Sequence, residues 1–134
     1  MLTNDMTPGR LDHWRAMRRV GWLVAGAGAI AFAIFEVVEH DLGPAPILIF
    51  ALLPDLTFVA GAGQAHAPRQ LPPRAVPFYN LAHQPLGPLV LIAVASIVPL
   101  SLFWFVAGLT WLAHIAIDRA LGYGQRTPEG WQRG

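Results

Sequence analysis

From Ala75 to Ile117 the chain runs 43 residues without a formal charge. As one helix this run would extend about 64 Å, roughly twice the ~30 Å hydrocarbon core of a bilayer. It therefore has to turn back on itself, and the turn is expected near Ser96, Pro99 and Ser101. Two shorter apolar stretches precede it. Val20 to Phe35 is uncharged and continues past Glu36 through Val38, and Leu42 to Gly63 carries Asp55 alone. The pattern predicts an all-α, polytopic membrane protein with four transmembrane helices in a small bundle, at about residues 18–38, 45–63, 77–96 and 99–119. A soluble helical bundle would interrupt each run with polar residues every third or fourth position.

Charge placement gives an orientation. All nine basic residues are Arg. Arg10, Arg15, Arg18 and Arg19 precede span one, Arg69 and Arg74 fall between spans two and three, and Arg119, Arg126 and Arg133 follow span four. Four spans put all of them on one side, which the positive-inside bias makes cytoplasmic, together with both termini. The expected organisation is a basic segment over 1–19, a membrane domain over 20–119 and a cytoplasmic tail over 120–134. The basic segment, with Leu11, Trp14 and Met17, reads either as an interfacial helix or as an ordinary anchored flank. A secretory leader also begins with Arg followed by an apolar run. Here the run is as long as a span and further spans follow. The address expected is a membrane with its basic side in the cytoplasm, and the bilayer itself is the first partner.

Composition closes off other classes. Charged residues are 13% of the chain and hydrophobic residues 54%, against roughly 25% charged in soluble domains. Nucleic-acid binding, disorder and coiled coil are excluded as leading ideas. There is no Cys, so thiolate metal sites, disulfides and Cys nucleophiles are out.

Ionisable groups inside spans are costly and mark function by default. The sequence places Asp55 on span two, His83 on span three, and His114 and Asp118 on span four. By helical rise Asp55 lies about 12 Å, and His83 about 9 Å, from the same membrane face. His114 and Asp118 are spaced i,i+4 and share a helix face, as do Asn80 and His83 at i,i+3. Two imidazoles and two carboxylates from three helices suit Zn, Mn or Fe(II). A metal there can activate water for hydrolysis of a lipid-like substrate, with Asn80 and Arg119 orienting substrate or ligands. The bland alternative is that the same groups hydrogen-bond helix to helix and hold the bundle together. Haem ligation by His83 and His114 has no support beyond the pairing. Pro54, Pro85 and Pro88 are expected to free the carbonyls of Phe50, Leu81 and Gln84.

Other features are compatible with different roles. Gly26 and Gly28 among Ala25, Ala27, Ala29, Ala31 and Ala33 give span one a small-residue face for close packing, within the bundle or against a partner. A non-enzymatic subunit of a larger membrane complex, or a homo-oligomer, is the alternative to an enzyme. A proton or solute carrier using Asp55 and the histidines ranks third. Glu36, Glu39 and His40 read as a solvated helix end.

The segments Leu53-Pro54-Asp55-Leu56-Thr57, Tyr79-Asn80-Leu81-Ala82-His83, Leu112-Ala113-His114 through Asp118-Arg119, and Leu121-Gly122-Tyr123-Gly124 occur in this order. The chain resembles, over roughly residues 20–126, the small bacterial integral-membrane family catalogued as domain of unknown function 4260. The resemblance implies several hydrophobic spans and groups Asp55, Asn80, His83, His114, Asp118 and Arg119 as one set. It supplies no activity. Members usually carry a Glu at the start of span one, where this chain has Val20-Gly21. They tend to end in Thr-His-Leu-Gly, where this chain has Pro128-Glu129-Gly130-Trp131.

Overall fold

A computed structural model describes residues 8–98 and 101–133. Within them the chain is helical, and its one β feature is an isolated bridge between Arg126 and Gln132. Helix α1 runs from Pro8 to Glu39. Helix α2, Ala45–Leu52, continues directly as a 3-10 helix, Leu53–Gly61. A short 3-10 turn, Pro73–Ala75, leads into α3, Val76–Ala82. Helix α4 spans Leu86–Ile97 and α5 spans Leu102–Leu121.

The basic flank and span one are a single rod. The 32 residues of α1 make about 48 Å of helix, which exceeds a ~30 Å bilayer core by several turns. No Pro interrupts it after Pro8, so nothing marks a joint between an interfacial piece and a span. The long uncharged run is divided where expected, with α4 ending at Ile97 and α5 beginning at Leu102. Pro99 and the predicted start of span four fall outside the described residues.

Helix α5 is the axis of the bundle. Antiparallel α1 packs along it: Gly26 approaches Ala116 and Ile117, and Phe32 meets Phe105 edge-on at 5.7 Å. A Cβ at Gly26 would come within 3.1 Å of Ile117 Cγ1. Part of the small-residue face thus works inside the bundle: Gly26, Ala29 and Ala33 are buried, and Ala25, Ala27, Gly28 and Ala31 are exposed. On the other side α4 runs antiparallel to α5, where Gly108 admits Ile92 and Gly87 admits Trp111. Ala33, Val106 and Leu109 form the centre of the main core.

Most of the remaining apolar surface faces outward. Two helical stretches, Gly9–Glu39 and Pro73–Ile97 (α3 and α4 with the break between them), are long and apolar enough to cross a membrane, and the apolar windows within them are only 17% and 11% buried. The core helix of a soluble protein would be mostly covered. Val24, Val38, Leu52 and Ile97 are among the exposed large side chains. Ala45–Gly61 is apolar but shorter. Helix α5 is the most buried, and it carries the polar residues that the others enclose.

Candidate metal centre

Three local irregularities aim side chains at one point. The first is the α-to-3-10 transition at Leu53. In 3-10 geometry the donor to the Ala51 carbonyl would be residue 54, and Pro54 has no N–H. The Ala51 carbonyl is left for His114, whose Nδ1 donates to it at 2.9 Å. The second is the break between α3 and α4. Helix α3 ends at Ala82, His83 caps it, and Pro85 cannot continue the ladder. The exposed Ala82 carbonyl accepts the Trp111 indole N–H at 2.7 Å. The His83 carbonyl faces Arg119 Nη2 at 3.4 Å. The third is the i,i+4 register of His114 and Asp118, which puts both on one face of α5.

The carbonyls used by the centre therefore differ from those expected. Leu81 and Gln84 are satisfied locally, by the N–H groups of Gln84 and Gly87. Tyr79, Ala51, Ala82 and His83 are the ones that position side chains. The 3-10 winding and the α3–α4 break displaced the open groups by one or two residues from the straight-helix expectation.

The result is a compact polar knot. His83 Nε2 and His114 Nε2 are 3.3 Å apart. Asp55 Oδ1 lies 3.6 Å from His83 Nε2 and 3.5 Å from His114 Nε2. Asp118 Oδ2 lies 3.5 Å from each. Asp55, His83 and His114 offer ligand atoms that are all within 4.8 Å of one another, and Asp118 closes on the two imidazoles. Tetrahedral ligands at ~2.0–2.1 Å from Zn stand about 3.3–3.4 Å apart, which the spacings within Asp55, His83 and His114 approach; Asp118 stands outside that group of three and faces it through the two imidazoles.

The tautomers follow from the outer partners. His83 Nδ1 meets the Tyr79 carbonyl at 2.9 Å, as His114 Nδ1 meets that of Ala51. A carbonyl only accepts, so each Nδ1 carries the hydrogen and each neutral ring presents an Nε2 lone pair to the centre. With both rings neutral, two lone pairs and two carboxylates face one another, an arrangement that either a metal ion or a proton on one Nε2 relieves. Imidazoles tied through Nδ1 to a carbonyl are how proteins orient metal-binding histidines.

Burial grades across the site. The His83 and His114 side chains are 3% and 12% exposed, Asp118 is 27% and Asp55 is 48%. The imidazoles are fixed at the back, and Asp55 marks the open side. Tyr79 stacks on His83 with ring centroids 3.9 Å apart, which fixes the ring plane. Beside the knot lies an apolar cavity of about 400 Å³, bounded by Phe50, Pro54, Leu56, Phe78, Ala82 and Trp111. Pro54 and Leu56 flank Asp55, and Ala82 precedes His83.

The family model for the domain of unknown function DUF4260 matches residues 22–134. This chain belongs to the DUF4260 family. No curated protein and no solved structure matches it.

Two residues that the resemblance grouped with the centre sit differently in this DUF4260 protein. Asn80 does not join the knot. Its Nδ2 donates to the Arg126 carbonyl at 2.9 Å, its Oδ1 accepts the Arg126 N–H at 2.8 Å, and its own carbonyl accepts Gln125 Nε2 at 3.0 Å. It clamps the C-terminal segment over α3. Arg119 reaches the knot only through the His83 backbone. The Pro128-Glu129-Gly130-Trp131 stretch is a turn stitched to the 64–75 loop: the Leu71 N–H donates to the Gly130 carbonyl at 2.9 Å. Gly130 has φ +98°, and a Cβ there would run into the Leu71 carbonyl. Tyr79 and Trp111 are the site residues that sequence reasoning missed. Both were marked by register, four residues before His83 and three before His114.

Proposed function

We propose that this DUF4260 protein is an integral metalloprotein of the bacterial inner membrane, a four-span bundle with both termini cytoplasmic. Asp55, His83, His114 and Asp118 hold one divalent transition metal, Zn, Mn or Fe(II). The observation that carries this reading is the pair of Nε2 atoms 3.3 Å apart, each on a ring whose other nitrogen is already committed to a carbonyl.

The reading extends to hydrolase-type chemistry on a lipid-like substrate. A bound divalent metal supplies a Lewis acid. Asp55, the most exposed of the four side chains, faces the approach, and the apolar cavity beside it suits an acyl chain. Arg119 is a positioning residue that bears on His83 through its carbonyl. The accessory-subunit alternative rests on the exposed part of the small-residue face, Ala25, Ala27, Gly28 and Ala31.

The test is metal content and turnover of the full chain purified in mild detergent without chelators. About one metal per chain is expected, with release of fatty acid from an ester lipid that disappears in Asp55→Asn. Failure of Zn, Mn and Fe(II) each to bind, or to raise the melting temperature, would overturn the metal centre. Binding without turnover would overturn the hydrolase extension alone.

A further inference from the structure

A second cavity, of about 380 Å³, lies where the N-terminal part of α1 meets the C-terminal end of α5. Five arginines line it, Arg15, Arg18, Arg19, Arg119 and Arg133. They come from three separate stretches of chain. Arg15, Arg18 and Arg19 share a side of α1, Arg119 is in the last turn of α5, and Arg133 returns on the tail. Among the described residues no carboxylate pairs with any of the five; every ion pair there involves a histidine.

The local structure builds this wall. Gly122 ends α5 in the left-handed conformation at φ +95°. The Tyr123 and Gly122 N–H groups return to the carbonyls of Asp118 and Arg119 at 2.9 and 3.1 Å, a Schellman end. Arg19 lies directly over Gly122, where a Cβ would collide with its guanidinium. The α5 C-terminus accounts for one cation through its dipole. It leaves the other four facing a common space, where like charges repel without an anion.

We propose that this cavity binds a phosphate group. Arg presents a planar fork that matches phosphate oxygens in pairs, and a wall of Arg alone favours that geometry over a point charge. The group comes either from an anionic phospholipid headgroup or from a soluble phosphate. Position speaks for the lipid. Trp22 and Tyr123 border the cavity, as amphipathic aromatics do at headgroup level. Immediately along α1, Val20, Leu23 and Val24 are 59%, 55% and 66% exposed, a surface for acyl chains. Basic pockets between helix ends are a known form of headgroup recognition. The proposal is independent of the metal centre.

The test uses the full chain in neutral detergent. Native mass spectrometry reads retained phosphatidylglycerol against phosphatidylcholine, and calorimetry reads inorganic phosphate. The variants are Arg133→Gln and the triple Arg15→Gln/Arg18→Gln/Arg133→Gln, with Arg10→Gln as control, and melting temperature reports folding. Preference for phosphatidylglycerol of tenfold or more, reduced by Arg133→Gln and abolished in the triple variant, supports the proposal with a lipid source. Binding of inorganic phosphate alone with the same pattern of loss supports it with a soluble source. Absence of both in the wild type, or survival of either in the folded triple variant, overturns it. Should the triple variant not fold, Arg133→Gln decides: unchanged binding overturns the proposal.

Discussion

The chain contains two histidine–carboxylate pairs at i,i+4 spacing, Glu36–His40 at the C-terminal end of α1 and His114–Asp118 on α5. On paper they are alike. In space they differ in where the second ring nitrogen goes. His40 Nδ1 contacts its own helix, 3.1 Å from the Glu36 carbonyl and 3.3 Å from Glu36 Oε2, and its side chain is 52% exposed. His114 sends Nδ1 across to Ala51 on α2 and keeps Nε2 for the knot. One pair satisfies itself at a wet helix end. The other is held from outside its helix and left with unspent lone pairs. The lesson is that i,i+4 spacing creates a pair, while a carbonyl opened on a neighbouring helix turns that pair into half of a ligand set.

The comparison is broken most directly by deleting each histidine in turn. His114→Ala is expected to lower metal affinity by tenfold or more, measured by metal analysis after dialysis against a buffered Zn series, with His83→Ala at least as severe. His40→Ala should leave affinity within error. Equal effects at His114 and His40 would mean that the α5 pair is an ordinary surface pair.

Acidification sharpens the same contrast. Both imidazoles must be deprotonated at Nε2 to ligate, so metal binding releases protons and occupancy falls as pH falls. Loss of metal should bring a matching loss of melting temperature, because ligand binding to the folded state alone stabilises it. Apo protein should show a much flatter dependence over the same range.

The smallest effect concerns the packing that brings α1 to α5. Gly26→Val forces a branched side chain against Ala116 and Ile117, with a cost of about 1–3 kcal/mol. Gly28→Val, two residues on, has nothing within 4 Å of its new Cβ and should stay within about 0.5 kcal/mol. Thermal unfolding in detergent measures both. Similar losses at the two sites would contradict the α1–α5 seam.

Asp55, His83, His114 and Asp118 were legible as a group because ionisable residues inside uncharged runs need a shared reason, and helical rise put them at one depth. The helix breaks were legible only as positions. Pro54 and Pro85 announced irregularity, but which carbonyl opens depends on whether the backbone tightens into 3-10 or stops, and neighbouring helices decide that. Where Asn80 points was hidden for a similar reason. Its i,i+3 spacing from His83 is real, yet its amide fits the Arg126 peptide group better than it reaches the knot. That contact spans 46 residues of sequence, and no local pattern signals it. Trp111 has no charged neighbour in sequence to mark its role, and only the broken α3–α4 junction gives its N–H a destination.

The unbroken course of α1 has a mechanical consequence. Because no joint separates its arginine-bearing third from its apolar remainder, the azimuth of Arg15, Arg18 and Arg19 is geared to the packing of Gly26, Ala29 and Ala33 further along the same shaft. One residue inserted at Gly21 would turn the upper part by about 100° relative to the lower. Three guanidinium groups would swing off the cavity while the hydropathy profile stayed almost unchanged. The phase of the rod, as much as its charge, decides what the upper end can grasp.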